Sequence, residues 1–225
     1  MTPELRTEKL TKLYRHRDGL VHALDNISMS VETGSFITIT GPSGSGKTTL
    51  LLALSGLIRP TSGEIYFNGE KLDLGSDKAL VNFRRKHVGF VMQNFSLIPY
   101  MTASQNVMIP LYLEGLSSAD QKVRAALALK SVGLADRFNH YPRELSSGQQ
   151  QRVAIARALV NEPSIIFADE PTGNLDPHLS IEILDLLKKI NQEKGLTVIM
   201  VTHSPVANEY GNVRIKLDEG RIMGD

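Results

Sequence analysis

The 225-residue chain has no cysteine, which removes disulfide frameworks and thiolate metal sites and fits a reducing cytoplasm. Net charge is also nearly missing. The balance is +1 from 25 basic and 24 acidic side chains, so composition gives no reason to expect nucleic acid as a partner. The compact basic cluster Arg84-Arg85-Lys86 reads as a solvated face. Long apolar runs are lacking too: stretches such as residues 50–54 fall far short of the roughly 20 residues that span a bilayer. Residues 1–9 are polar and carry both charge signs, unlike a signal peptide. Internal repeats and low-complexity tracts are absent. These absences leave one α/β domain with room for an inserted subdomain. It is expected to be soluble by itself and to reach a membrane only through another polypeptide.

What is present is concentrated between residues 41 and 49. Gly41-Pro42-Ser43-Gly44-Ser45-Gly46-Lys47-Thr48-Thr49 meets the spacing Gly-x-x-x-x-Gly-Lys-Ser/Thr at Gly41, Gly46, Lys47 and Thr48. Residues 36–40 read as a short buried strand and residues 50–57 as an apolar helix, the context this motif needs. Unpaired N–H groups at a helix start, helped by the helix dipole, favour an anion. Gly44 and Gly46 let the backbone close around phosphates where a side chain would collide. Lys47 is placed to reach β- and γ-phosphates, and the Thr48 hydroxyl to bind Mg²⁺.

Apolar spacing predicts the rest of the frame. Residues 5–13 and 20–31 read as strands joined by a polar turn at 15–19, with Ala23, Leu24, Ile27 and Met29 available for packing. Residues 64–67 form a strand that ends at Asn68-Gly69, a strong hairpin signal. Residues 87–92 read as a buried strand stopping at Gln93. Pro99 and Pro110 keep any helix within 94–113 short. Residues 119–132 read as an amphipathic helix packing through Val123, Ala126, Leu127, Leu129 and Val132 and stopped by Gly133. Another helix, 149–160, follows Leu145-Ser146-Ser147-Gly148. In the last third, 165–168 is a continuous apolar strand ending in Asp169-Glu170, and 196–201 another ending in Thr202-His203. The helix face Leu179, Ile183, Leu186, Leu187 and Ile190 lies between them, and 213–217 with 220–223 closes as a hairpin. The predicted fold is an α/β P-loop NTPase core with a mainly parallel sheet. It carries an antiparallel β subdomain at the N-terminal side and an inserted helical subdomain. The expected division is 1–93 and 161–225 for the core and 94–160 for the helical part.

Ligands of open α/β sheets bind beyond the carboxyl ends of the strands. Four predicted strands deliver polar residues there: the phosphate loop, Gln93, Asp169-Glu170 and His203. Asp169 suits Mg²⁺ together with Thr48, and Glu170 would orient or deprotonate an attacking water. The alternative for two adjacent carboxylates is helix capping in a loop. His203 arrives at the same edge and is able to donate a hydrogen bond to a γ-phosphate, whereas His16, His22, His87, His140 and His178 read as structural. Gln93 gains credibility as a metal or water ligand from its position alone.

With these residues in view, the chain resembles the nucleotide-binding subunit of an ATP-binding-cassette (ABC) transporter over nearly its full length. The loop at 41–49 corresponds to Walker A, residues 165–169 to Walker B and Glu170 to the catalytic glutamate. Gln93 matches the Q-loop, Asn174-Leu175-Asp176 the D-loop, His203 the switch histidine, and Tyr14 the aromatic that stacks on adenine. Leu145-Ser146-Ser147-Gly148-Gln149 resembles the signature Leu-Ser-Gly-Gly-Gln, with Ser147 in place of the first glycine. A plain Ser-capped helix start is the alternative reading of that stretch. The resemblance implies binding of ATP and Mg²⁺ and hydrolysis of ATP. It also implies a second copy whose ATP meets Ser146, Gly148, Gln149 and Asp176, and an integral membrane permease as partner at the cytoplasmic face of the cell membrane. Residues 89–93, 97–106 and 172–176 look most like lipoprotein-release and macrolide-export ATPases, whose relatives include a cell-division ATPase that pairs with a membrane protein without transport. Segment 94–113 is then either the groove for a membrane subunit's coupling helix or a loose surface loop.

Overall fold

The computed structural model describes residues 4–16 and 19–223. Two long strands open it, β1 (Leu5–His16) and β2 (Gly19–Val31), paired antiparallel from Leu5↔Val31 to His16↔Gly19. Residues 17 and 18 of the predicted turn lie outside the described residues. The inward positions Leu5, Leu10, Leu24, Ile27 and Val31 are buried, as a one-faced sheet requires. The third strand, β3 (Phe36–Thr40), is buried on both faces. It feeds the loop before α1 (Lys47–Leu54), which starts at Lys47 rather than residue 50 because Gly46 already serves as its N-cap. A hairpin follows, β4 (Ser62–Phe67) and β5 (Glu70–Lys71), turned by Asn68 and Gly69 at φ 51° and 84°, the positive values a two-residue turn needs.

The next helix, α2 (Asp77–His87), is not predicted from sequence. Only Leu80 and Phe83 are buried on it, too narrow a stripe to read, and the Ser76 hydroxyl caps it at Ala79 N. Its basic cluster is not merely solvated: Arg84 donates to Gly56 O at 2.6 Å, and Arg85 donates to Leu113 O and pairs with Glu114. After β6 (Val88–Met92) come α3 (Ala103–Met108), a 3₁₀ turn over Ile109–Leu113, α4 (Ser118–Ser131) and α5 (Ser147–Leu159). On α4 the packed face differs from the expectation. Ala125, Ala128 and Leu129 are buried, with Val132 just beyond the helix, whereas Val123, Ala126 and Leu127 are exposed. Small alanines let α4 close on α3 and α5, so the interface is not marked by its largest apolar residues.

The remainder is β7 (Ile165–Asp169), α6 (Pro177–Lys194), β8 (Thr197–Val201), a short unpredicted α7 (Pro205–Glu209), β9 (Val213–Asp218) and β10 (Arg221–Met223). One sheet has the order β2-β1-β4-β5 and is antiparallel; the other is β10-β9-β3-β8-β7-β6, parallel except for the terminal hairpin. The central sheet separates two cores. One lies against α1 and the antiparallel sheet, the other against α3 to α6. Among the described residues no helix is long and apolar enough to cross a membrane.

Candidate active site

Register in the parallel sheet sets the site: Met92 pairs with Asp169, Asp169 with Val201, and Val201 with Ile39. Four strands therefore end level, and the residues that follow them, Gln93, Glu170, Thr202-His203 and the 41–46 loop, share one edge. Polar side chains collect there because a buried apolar strand can present them only past its end.

The loop wraps over the start of α1. Gly46 sits at φ 98°, and a Cβ there would lie 2.1 Å from Ala23 O of β2. Glycine is thus demanded by the protein's own backbone, while Gly44 (φ 80°) faces open space and owes nothing to packing. Pro42 and Ser43 lie on the exposed rim, Ser45 is buried and Thr49 half-buried. Lys47, 5% exposed, donates from Nζ to Gly41 O at 2.9 Å and Pro42 O at 2.8 Å. Burial holds its ammonium below the ordinary lysine range, and the Glu170 and Asp169 carboxylates pull the other way. Thr48 Oγ1 donates to Asp169 Oδ1 at 3.1 Å. Burial raises the Asp169 pKa, opposed by the Thr48 hydrogen bond and by Lys47 and His203. A hydroxyl and a carboxylate oxygen in contact are hard donors that fit Mg²⁺, which keeps several waters and takes further oxygens from substrate phosphates.

Glu170 is held at φ 46°, a costly conformation for a residue with a Cβ. Its N–H donates to Val201 O at 3.0 Å, and His203 Nε2 lies 2.6 Å from its Oε1. The carboxylate and imidazole predicted at separate strand ends thus touch. Gln93 is half-buried, its Nε2 lying over Gly173, where a Cβ would come within 2.6 Å. The main-chain carbonyl of Gln93 accepts from Asn174 Nδ2 at 3.1 Å, which ties the ends of β6 and β7 together.

The second group of predicted residues lies on other elements. Ser146 and Gln149 form a capping box at the start of α5: Gln149 N donates to Ser146 Oγ, and Ser146 N to Gln149 Oε1. Gly148 packs on Leu179 of α6, with 3.0 Å between a would-be Cβ and Cδ2. Ser147 is the first residue of α5 and has no positive φ, so its backbone does not need the glycine it replaces. Asp176 caps α6 by accepting from His178 N and Leu179 N, both at 3.0 Å. Tyr14 stands 43% exposed on β1, with Lys12 Nζ 5.1 Å from its ring centroid. Sequence reading missed Gln151, which is fully buried on α5. Its spacing from Gly148 and Ile155, both buried, was the available signal.

A phosphate loop facing a carboxylate pair and a histidine across parallel strand ends defines a nucleotide-hydrolysing cassette. Comparison with known proteins agrees. The family model described as ABC transporter matches residues 24–173. An uncharacterized ABC transporter ATP-binding protein of Methanocaldococcus jannaschii is 47% identical over 219 residues, with 97% of each chain covered. The macrolide export ATP-binding/permease protein MacB 1 of Yersinia pestis is 40% identical over 225 residues, which are 100% of this chain and 34% of that protein. An ATP-binding cassette solved as a dimer in a post-hydrolysis state bound to ADP and Pi superposes with a TM-score of 0.89 at 43% identity, covering 98% of this chain and 97% of that one. The chain belongs to the ABC transporter family, as one of its ATP-binding and ATP-hydrolysing cassettes.

Proposed function

We propose that this chain is the ATPase subunit of an export-type transporter, in which two copies close on two ATP molecules and drive a separate membrane permease. The observation that carries the reading is the contact of Glu170 with His203 beside the Thr48–Asp169 pair. Glu170 acts as general base on the attacking water, and His203 orients it and bonds the γ-phosphate. Lys47 and the N–H groups of the loop hold the β- and γ-phosphates. Thr48 and Asp169, with Gln93, hold Mg²⁺, which supplies charge neutralisation along the phosphates when bound. Two carboxylates against one buried ammonium leave the cluster short of positive charge, which supports a divalent cation here. Tyr14 stacks on the adenine. Ser146, Gly148, Gln149 and Asp176 serve the nucleotide of the second copy.

The names of relatives support this assignment: one joins ATP-binding and permease functions in macrolide export, and one cassette was solved as a dimer. In this reading residues 94–160 form a helical subdomain on the core of 1–93 and 161–225, and segment 94–113 meets the permease at the cytoplasmic face of the cell membrane. Replacement of Glu170 by Gln is expected to leave ATP binding within about twofold while turnover falls about 10³-fold. Turnover equal to that of the unsubstituted protein would remove Glu170 from its role.

A further inference from the structure

Gln151 is a buried amide that the chemistry above does not use. It is 0% exposed, yet only half of it is satisfied: Nε2 donates to Pro171 O at 2.6 Å, and Oε1 has no hydrogen-bond partner. A methionine of similar volume would fill the same space without an orphaned acceptor, so packing alone does not explain an amide here. What the amide supplies is one directed bond, and its acceptor belongs to the residue after Glu170.

That acceptor is well chosen. Residues 170–173 form a tight turn that keeps Glu170 at φ 46°. Glu170 N bonds Val201 O, and Gly173 N bonds Glu170 O, each at 3.0 Å. Both are backbone bonds from the adjoining strand or from the turn itself. The bond to the intervening Pro171 carbonyl arrives from α5, the helix whose first turn is the Ser146–Gln149 capping box. Gln150 Nε2 donates back to Leu145 O at 3.0 Å, so the box, Gln150 and Gln151 sit on one rigid helix start. Gln151 is thus the hydrogen bond by which the 146–149 turn grips the turn that aims Glu170.

We infer that Gln151 is a positioning residue: through Pro171 it fixes Glu170 and transmits the position of the signature turn to the base of the same chain. The inference rests on the proposed roles of Glu170 and of the 146–149 turn. If the turn contacts a second copy's nucleotide, Gln151 makes each chain's base sense the occupancy of the other site.

Two substitutions test it on the full chain, by steady-state ATP turnover, ATP affinity and thermal melting. With Gln151→Met the turnover number should fall about tenfold, because a misplaced base costs rate rather than affinity, while ATP affinity and melting temperature hold. Gln151→Glu should behave differently. Its buried carboxyl bonds Pro171 O only when protonated, and burial raises its pKa. Turnover relative to the unsubstituted protein should therefore be near equal at about pH 6 and fall about tenfold by about pH 8.5. The surrounding charged groups, Arg152 on α5 itself and Glu170, His178 and Glu182 on neighbouring elements, are common to both proteins, so the ratio removes their titration. A Gln151→Met turnover within about twofold of the unsubstituted protein would overturn the inference, as would a flat Gln151→Glu ratio across pH. If Gln151→Met fails to fold, the Gln151→Glu ratio alone decides. Should Glu170→Gln leave turnover intact, the proposed roles fail first; should it stop turnover while Gln151→Met does not slow it, only this inference fails.

Discussion

At the strand ends, Thr48 donates to Asp169 and His203 lies against Glu170, across two strands and a helix, whereas in the signature turn Ser146 and Gln149 bond each other within one helix start. The first group exists only if the sheet register is right, since its partners come from α1, the end of β7 and the end of β8. The second is complete by local sequence alone and moves wherever α5 moves. Their electrostatics differ as well. Burial works against the charges of Lys47 and Asp169, and mutual attraction restores them in part. The signature turn carries no side-chain charge and offers helix-start N–H groups, two serine hydroxyls and the Gln149 amide. The strand-end group is thus fixed by the sheet, and the signature turn by one helix start.

Substitutions can break the two halves separately. Gly46→Ala attacks the strand-end half and should do most damage. A Cβ would meet Ala23 O and force a left-handed alanine, a cost of about 3 kcal/mol or more, seen as a lower melting temperature and loss of ATP binding. Ser146→Ala attacks the other half. It should cost about 1 kcal/mol of stability through the lost cap, leave ATP binding intact and slow turnover about tenfold. The pattern of binding kept but turnover lost, read by calorimetry and phosphate release, would separate the halves. Tyr14→Ala should do least, weakening ATP about fivefold, at the low end for a stacked base because the ring is exposed. A Ser146→Ala protein that loses ATP binding would erase the distinction.

Much of this is legible in the sequence. A buried apolar strand must deliver its polar residues at its end, so the run into Asp169-Glu170 and the run into His203 predicted a shared edge. The Asn68-Gly69 hairpin and the stop at Gly133 followed from backbone preference. Other features escaped for physical reasons. The stripe on α2 is too narrow, and α4 packs through alanines that carry little hydrophobic signal. The reason for Gly46 lies in a carbonyl of β2, and the partner of Gln151 in the carbonyl of Pro171. Backbone acceptors have no residue identity, so tertiary contacts to them leave no mark in a sequence. Spacing also placed Glu170 and His203 at one edge without showing that their side chains meet.

In the proposed function, two copies of this chain complete each other's site. Light scattering of the Glu170→Gln protein, with and without Mg-ATP, tests it most directly. A dimer that forms only with Mg-ATP is the predicted result. A monomer at saturating Mg-ATP, persisting when Ser147 is also replaced by Gly, would contradict it.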